Sequence, residues 1–181
     1  MDHFALVLPE EPTAVRLLNT RWWDRGRLRD GLAEPEHLRR WVAAVRPEVP
    51  VQDGDLAAFR SLRDALHALV GHALGEDVAA EEPLAVVNAV VANAPSRPEY
   101  VLTPAGVARR TGRDATPVER LLADVAEELL ELLLAGRLAR CQAHGCGHLY
   151  TQKPRHRQWC SAKCGNRVRV ARHYQRHRED A

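Results

Sequence analysis

The chain has 181 residues, 45% of them apolar, and a net charge of +2 at neutral pH, which is length enough for one substantial core with a small module hung on it. No apolar run approaches the roughly 18 residues of a membrane span, and Phe4–Leu8 is too short and lacks the basic lead-in of a signal peptide, so a cytoplasmic or nucleoid-associated protein without membrane attachment is expected. The small net charge hides a division: residues 1–136 hold 15 Arg against 22 acids, a balance of −7, whereas residues 137–181 hold 11 Lys and Arg against two acids, a balance of +9.

In chain order, Phe4–Leu8 reads as a short edge strand ended by Pro9 and Pro12. A helix capped by Thr13 follows, with Val15, Leu17, Leu18 and Trp22 as its apolar face. Asn19 and Thr20 sit in that face. They read either as a polar anchor in a ligand pocket or, the favoured reading, as side chains that satisfy neighbouring backbone groups. Trp22 and Trp23 cannot both face the core from one helix, which places one of them at a domain seam or pocket mouth. Asn19, Trp22 and Trp23 are therefore the ligand-pocket candidates. Arg25–Gly31 reads as a basic loop. Glu34-Pro35-Glu36 opens a second helix to about Val45, with proline near its first position and Leu38, Trp41, Val42 and Val45 facing inward. A third helix spans about Gly54–Leu74 on Leu56, Phe59, Leu62, Leu66, Leu69 and Val70, with His67 and His72 as buried or boundary histidines.

A fourth helix, small and apolar and expected to pack closely, runs from Glu81 to about Ala94. Tyr100–Thr103 and Val107–Thr111 flank Pro104-Ala-Gly106 as a hairpin that places Arg109 and Arg110 at an exposed edge. Thr116-Pro-Val-Glu119 has the form of a capping box at the head of the longest helix. Val118, Leu122, Val125, Leu129 and Leu132 form its stripe, widened by Leu121, Leu130, Leu133 and Leu134. The core is the favoured destination of these leucines, and their surplus leaves room for a homodimer interface along 116–135. Gly136 ends the helix, and the domain boundary is expected there, with residues 1–136 as one unit and 137–181 as the other.

Every cysteine lies in the second unit: Cys141, Cys146, Cys160 and Cys164, two close pairs. Four soft ligands in that pattern suit one tetrahedral structural Zn²⁺. Four thiolates also suit iron. A disulfide reading is disfavoured by a reducing compartment. Gly145 and Gly147 let the first pair turn as a knuckle, Ser161 is a good N-cap that puts Cys164 at the third helical position, and the segment between the pairs is expected to loop out as a hairpin. The expected module is treble-clef-like and ends in a basic helix, giving an overall α+β class, mainly α. His144, His148 and His156 are alternative ligands near the site.

The run Arg157-Gln-Trp-Cys-Ser-Ala-Lys-Cys-Gly-Asn-Arg167 resembles the CGNR zinc finger of bacterial proteins, named for the tetrapeptide at Cys164 to Arg167, with Cys141 and Cys146 fitting its first ligand pair. Residues 1–136 resemble more loosely the ABATE domain that precedes this finger, Leu17-Leu18-Asn19-Thr20 standing for its early apolar-Asn-Thr motif. The resemblance implies a zinc-binding bacterial transcription regulator of stress responses.

The charge pattern alone points the same way, because only the basic unit is suited to a polyanion. Arg169, Arg172 and Arg176 recur along one face of the terminal helix as a cationic ridge, with Val168, Ala171 and Tyr174 as a narrow apolar stripe on another. Lys153, Arg155 and Arg157 lie on the loop between the cysteine pairs. Asn166 and Arg167 have base-reading chemistry but lie close to the metal, and Arg167 divides evenly between that role and bracing the fold. DNA is the expected partner. RNA remains open because Tyr150, Trp159 and Tyr174 offer stacking surfaces. Residues 1–136 show no catalytic dyad, phosphate loop or cofactor fingerprint, so a non-enzymatic domain that senses a small molecule or dimerises is expected, with an enzymatic or ligand-carrying domain as the weaker alternative.

Overall fold

The computed structural model describes residues 8–24, 27–152 and 157–179. The predicted strand at Phe4–Leu8 therefore lies outside them except for its last residue. The elements run α1 Thr13–Leu18, β1 Arg21–Asp24, β2 Arg27–Asp30, α2 Pro35–Val45, α3 Asp55–Ala73, α4 Glu81–Asn93, β3 Ser96–Thr103, β4 Gly106–Arg113, α5 Pro117–Leu134, β5 Leu138–Arg140, β6 Leu149–Thr151 and α6 Ala162–Glu179. This is the expected mainly helical α+β class, and the described residues form three separate two-stranded antiparallel sheets. Among the described residues, no helix is long and apolar enough to cross a membrane.

The helices form where apolar spacing and terminal residues agree. α3 buries Leu56, Phe59, Leu62, Leu66, Leu69 and Val70 along one side and packs on α1, α2, α4 and α5. Trp41 of α2 meets Phe59 edge to face, centroids 6.0 Å apart. On α5 the Glu119 amide donates to Thr116 Oγ1 at 3.2 Å while the Thr116 amide donates to the Glu119 carboxylate at 2.8 Å, closing the capping box. At its other end Gly136 takes φ 60°. The Arg137 and Gly136 amides then donate to the Leu132 and Leu133 carbonyls, each at 2.9 Å, a left-handed glycine stop. The leucine surplus goes into the core: Leu121, Leu122, Leu129 and Leu132 are buried, Leu130 and Leu133 are partly buried, and only Leu134 of this helix stands out at 89% exposed.

The first predicted helix is corrected. α1 stops at Leu18, and its amide Ala14 N donates to Glu128 of α5 at 2.8 Å, whereas Thr13 lies inside the helix and caps nothing. Trp22 and Trp23 belong to β1, paired with Arg29 and Leu28 of β2. Alternation along a strand sends them to opposite faces, so Trp22 packs on the core and Trp23 is 55% exposed. The basic loop at 25–31 is largely this second strand. Arg63 of α3, itself buried, anchors the hairpin through two bonds to the Asp30 carboxylate, 2.6 and 2.8 Å, and one to Thr20 Oγ1, 3.1 Å. Burial works against Asp30 ionisation, but the paired Arg63 contact prevails and holds its pKa below the ordinary value.

α4 is less covered than expected. Val87 is its one fully buried residue, Val86, Val90 and Val91 are partly buried, and Leu84 faces solvent. The β3–β4 hairpin is longer than predicted, pairing Ser96–Thr103 with Gly106–Arg113 around a Pro104-Ala105 turn. Arg113 clamps its base to the Ala94 carbonyl, to Asp124 at 3.0 Å and to Glu127. Arg109 and Arg110 are exposed, with Arg110 Nε donating to Glu99 at 2.7 Å.

Candidate metal centre

The knuckle lies inside the β5–β6 hairpin. These strands, rather than the segment between the two cysteine pairs, bring Cys141 and Cys146 together. The Cys141 amide donates to the His148 carbonyl at 2.8 Å and the Cys146 amide to the Ala143 carbonyl at 2.9 Å. Gly145 at φ 68° and Gly147 at φ 72° make the turn that side chains resist. The other pair sits at the head of α6, where the Cys164 amide donates to Ser161 Oγ at 3.3 Å, the N-cap bond expected of Ser161.

The four sulfurs are buried and lie within 4.8 Å of one another. Cys146, Cys160 and Cys164 form a triangle with 3.6 Å sides. A tetrahedron of thiolates around Zn²⁺ at about 2.3 Å has S···S edges of about 3.8 Å, so the spacing fits one tetrahedral ion. It is far too long for a disulfide, and all four cysteines are free. The site would hold a structural zinc, whose bonds tie the knuckle to the helix head.

Two basic side chains face the sulfurs. His148 Nδ1 lies 3.4 Å from Cys146 Sγ and Arg167 Nη2 lies 3.6 Å from Cys164 Sγ. The hydrogen bond from Cys160, aided by His148, lowers the Cys146 pKa against the opposing effect of burial. Cys160 is pushed up, because its proton is held against Cys146 and because it is buried. His148 therefore contacts a ligand and stands outside the four-sulfur cluster. Arg167, divided at the sequence level between base reading and bracing, has its guanidinium on a ligand sulfur. Trp159 lies across Gly165: a Cβ there would come within 3.2 Å of the indole, a tight contact that the ring would have to ease by a few tenths of an ångström.

Two polar clamps fasten this hairpin to the helical body, one at each end of α1. After α1, Asn19 Nδ2 donates to the Leu149 carbonyl and the Leu149 amide donates back to Asn19 Oδ1, both at 2.9 Å and buried. The side chain completes the free edge of β6 as another strand would. Before α1, the buried Glu11 carboxylate accepts from the Thr151 amide at 2.8 Å, from Thr151 Oγ1 at 2.6 Å and from Arg157 at 2.6 Å. Leu138 and Leu149 complete the seam by joining the main core.

Among the predicted nucleic-acid contacts, Arg157 makes the most bonds within the protein. Its three nitrogens go to Glu11, the Trp159 carbonyl and the Cys160 carbonyl, and its guanidinium lies 4.9 Å over the Tyr150 ring. It ties the metal loop to the body. Lys153 and Arg155 lie outside the described residues. Arg169, Arg172 and Arg176 are exposed on α6, as is Asn166, whose Oδ1 accepts from Arg169. Lys163, not singled out from the sequence, is exposed on the first turn of α6. The apolar stripe of that helix touches the metal cluster only through Val168. Ala171 is exposed, and the Tyr174 side chain is outside the described set.

The three ligand-pocket candidates converge. Asn19, Trp22 and Trp23 line one cavity of about 310 Å³, with His67 and Arg140 opposite. His67 Nε2 faces the Leu18 carbonyl at 2.9 Å, and burial, reinforced by nearby guanidiniums, lowers its pKa to about 4.

Two family models match the chain and meet at the end of α5: ABATE, described as a putative stress-induced transcription regulator, over residues 11–136, and the CGNR zinc finger over residues 137–177. No curated protein matches it.

Proposed function

This chain belongs to the ABATE family and carries a CGNR zinc finger, and from that membership we propose that it is a non-enzymatic, zinc-dependent transcription regulator whose finger unit, 137–181, lays α6 on DNA while the helical unit, 1–136, receives the signal. The observation that carries this reading is the exposed cationic ridge of Arg169, Arg172 and Arg176 on α6. The first turn of that helix is tied to the metal site, so the ridge is presented by a fixed support. A helix fits the major groove, and arginines at helical spacing suit phosphates on its rim. Lys163 extends the surface, and exposed Asn166 is the residue placed to read a base. The acidic balance of residues 1–136 turns the polyanion toward this end of the molecule.

Single-stranded RNA is the weaker partner. Of the aromatics that would stack bases, Tyr150 is buried beneath Arg157 and Trp159 is committed to Gly165.

Gel-shift titration with duplex DNA over a range of salt tests the proposal. With about six phosphate contacts, log affinity should fall against log salt with a slope near −5, and replacing Arg172 and Arg176 together by alanine should reduce that slope by about 2. Absent binding, or binding indifferent to salt, would rule the reading out.

A further inference from the structure

Two consecutive elements expose surfaces of a kind that ordinarily lies against another layer. On the β3–β4 hairpin, alternation and register put Pro98, Tyr100 and Leu102 on one face, with Thr111, Arg109 and Val107 opposite them. Tyr100, Leu102 and Val107 are 71, 88 and 73% exposed. The ion pair of Glu99 with Arg110 belongs to the other face. A two-stranded hairpin is marginal by itself in water and is stabilised by a third strand or by a helix against its apolar face. Among the described residues, β3 and β4 pair only with each other.

α4 presents the converse. From Pro83 to Ser96 the chain has no charged residue, whereas the solvent face of a helix normally carries charges. Val87 is fully buried, and Leu84, Ala85, Asn88, Ala89 and Ala92 recur at helical spacing on the exposed side. Side chains this small let another layer approach closely. The lengths also agree, about 20 Å for the helix and about 26 Å for the hairpin.

We propose that a second copy of this chain covers both surfaces, in a two-fold dimer where each copy lays the apolar face of its β3–β4 hairpin across the uncharged face of its partner's α4. The sheet face gains a helix and the helix face gains a sheet, so one contact made twice covers both. Charge is complementary as well: Arg109, the cation on the apolar face of the hairpin, meets the acidic first turn of α4 at Glu81 and Glu82, both exposed. Tyr100, Leu102 and Val107 offer roughly 400 Å² per copy and the outer side of α4 roughly 250 Å², so the pair covers on the order of 1,300 Å², within the range of stable interfaces. Nucleic acid suits this surface poorly, because it finds one arginine beside an uncharged helix face. The interface does not rest on the regulator reading; combined with it, the two-fold presents two copies of α6 to two half-sites.

Sedimentation of the zinc-loaded full chain without DNA, over about 1 to 100 µM, tests the proposal, and a dimer of micromolar or tighter Kd is expected. Leu102→Asp and Ala89→Glu, both at exposed positions, should each weaken dimerisation about tenfold or more, with zinc content and helical circular dichroism unchanged. Leu134→Asp, at the end of α5, should leave it unaltered. Arg109→Glu should weaken it too, and adding Glu82→Arg should recover most of that loss, which a contact of hairpin on hairpin would not give. A chain monomeric throughout, a dimer indifferent to Leu102→Asp and Ala89→Glu, a dimer dissolved by Leu134→Asp, or no recovery in the double variant would overturn the proposal. A monomeric chain whose DNA affinity falls on Leu102→Asp would also overturn it, with nucleic acid as the occupant. DNA binding that fails while dimerisation holds would sink only the regulator reading.

Discussion

Single residues in this protein do work that their type alone does not announce. Asn19 reads as a polar side chain in an apolar face, and its backbone-satisfying role was legible. Its partner Leu149 was not, because it lies 130 residues away. Glu11 and Arg157 look like ordinary members of an acidic and a basic stretch, and only the fold shows them paired. His67 has a consequence for acid stability. Its folded pKa, about 4, lies below the ordinary 6.5, so as pH falls the unfolded chain takes up the proton first. The stability it contributes is complete above about 6.5 and is lost as pH falls from there toward 4. Denaturant unfolding at pH 7 and pH 4.5 should show wild type losing about 2 kcal/mol more than His67→Gln, which keeps a donor toward Leu18. Equal losses in the two proteins would contradict this account of the imidazole.

At the scale of elements, legibility followed periodicity and end signals. α2, α3 and α5 could be placed closely because apolar spacing, Pro35 and Pro117 at first positions, the Thr116–Glu119 box and Gly136 agree with one another. β1 and β2 were missed for the opposite reason: Arg-Trp-Trp-Asp and Arg-Leu-Arg-Asp lack alternation, and the hairpin depends on Arg63 of a distant helix. β5 and β6, three residues each, carry no pattern of their own and exist as the stem of the knuckle. The contact between α1 and β6 is the joint of greatest consequence. Asn19→Ala would leave both the amide and the carbonyl of Leu149 buried without that partner, at a cost of about 2–3 kcal/mol. Chemical denaturation of the zinc-loaded chain would measure it, and a loss below about 0.5 kcal/mol would show that the clamp does not hold the hairpin to the body.

For the whole molecule, charge and cysteine spacing were the legible features, and they divide the chain at the same place. What they hid is how closely the two parts are joined. The finger is no loose appendage: Leu138 and Leu149 sit in the main core, Glu11 and Asn19 reach its hairpin, and a cavity has walls from both units. Loss of the metal should therefore be felt beyond the knuckle, with protection falling in β6 and α6 first and then at α1. The leucines of α5 are mostly taken up by the core, and Leu134 at its end is exposed. The central claim is that four sulfurs grip one zinc and so set the basic helix on the body. Its most direct test is zinc content together with amide hydrogen exchange on the reduced full chain and on Cys160→Ser. One zinc per chain is predicted for wild type, with loss of the ion and of α6 and β6 protection in the variant. A metal-free wild-type chain whose α6 and β6 amides remain protected would contradict it.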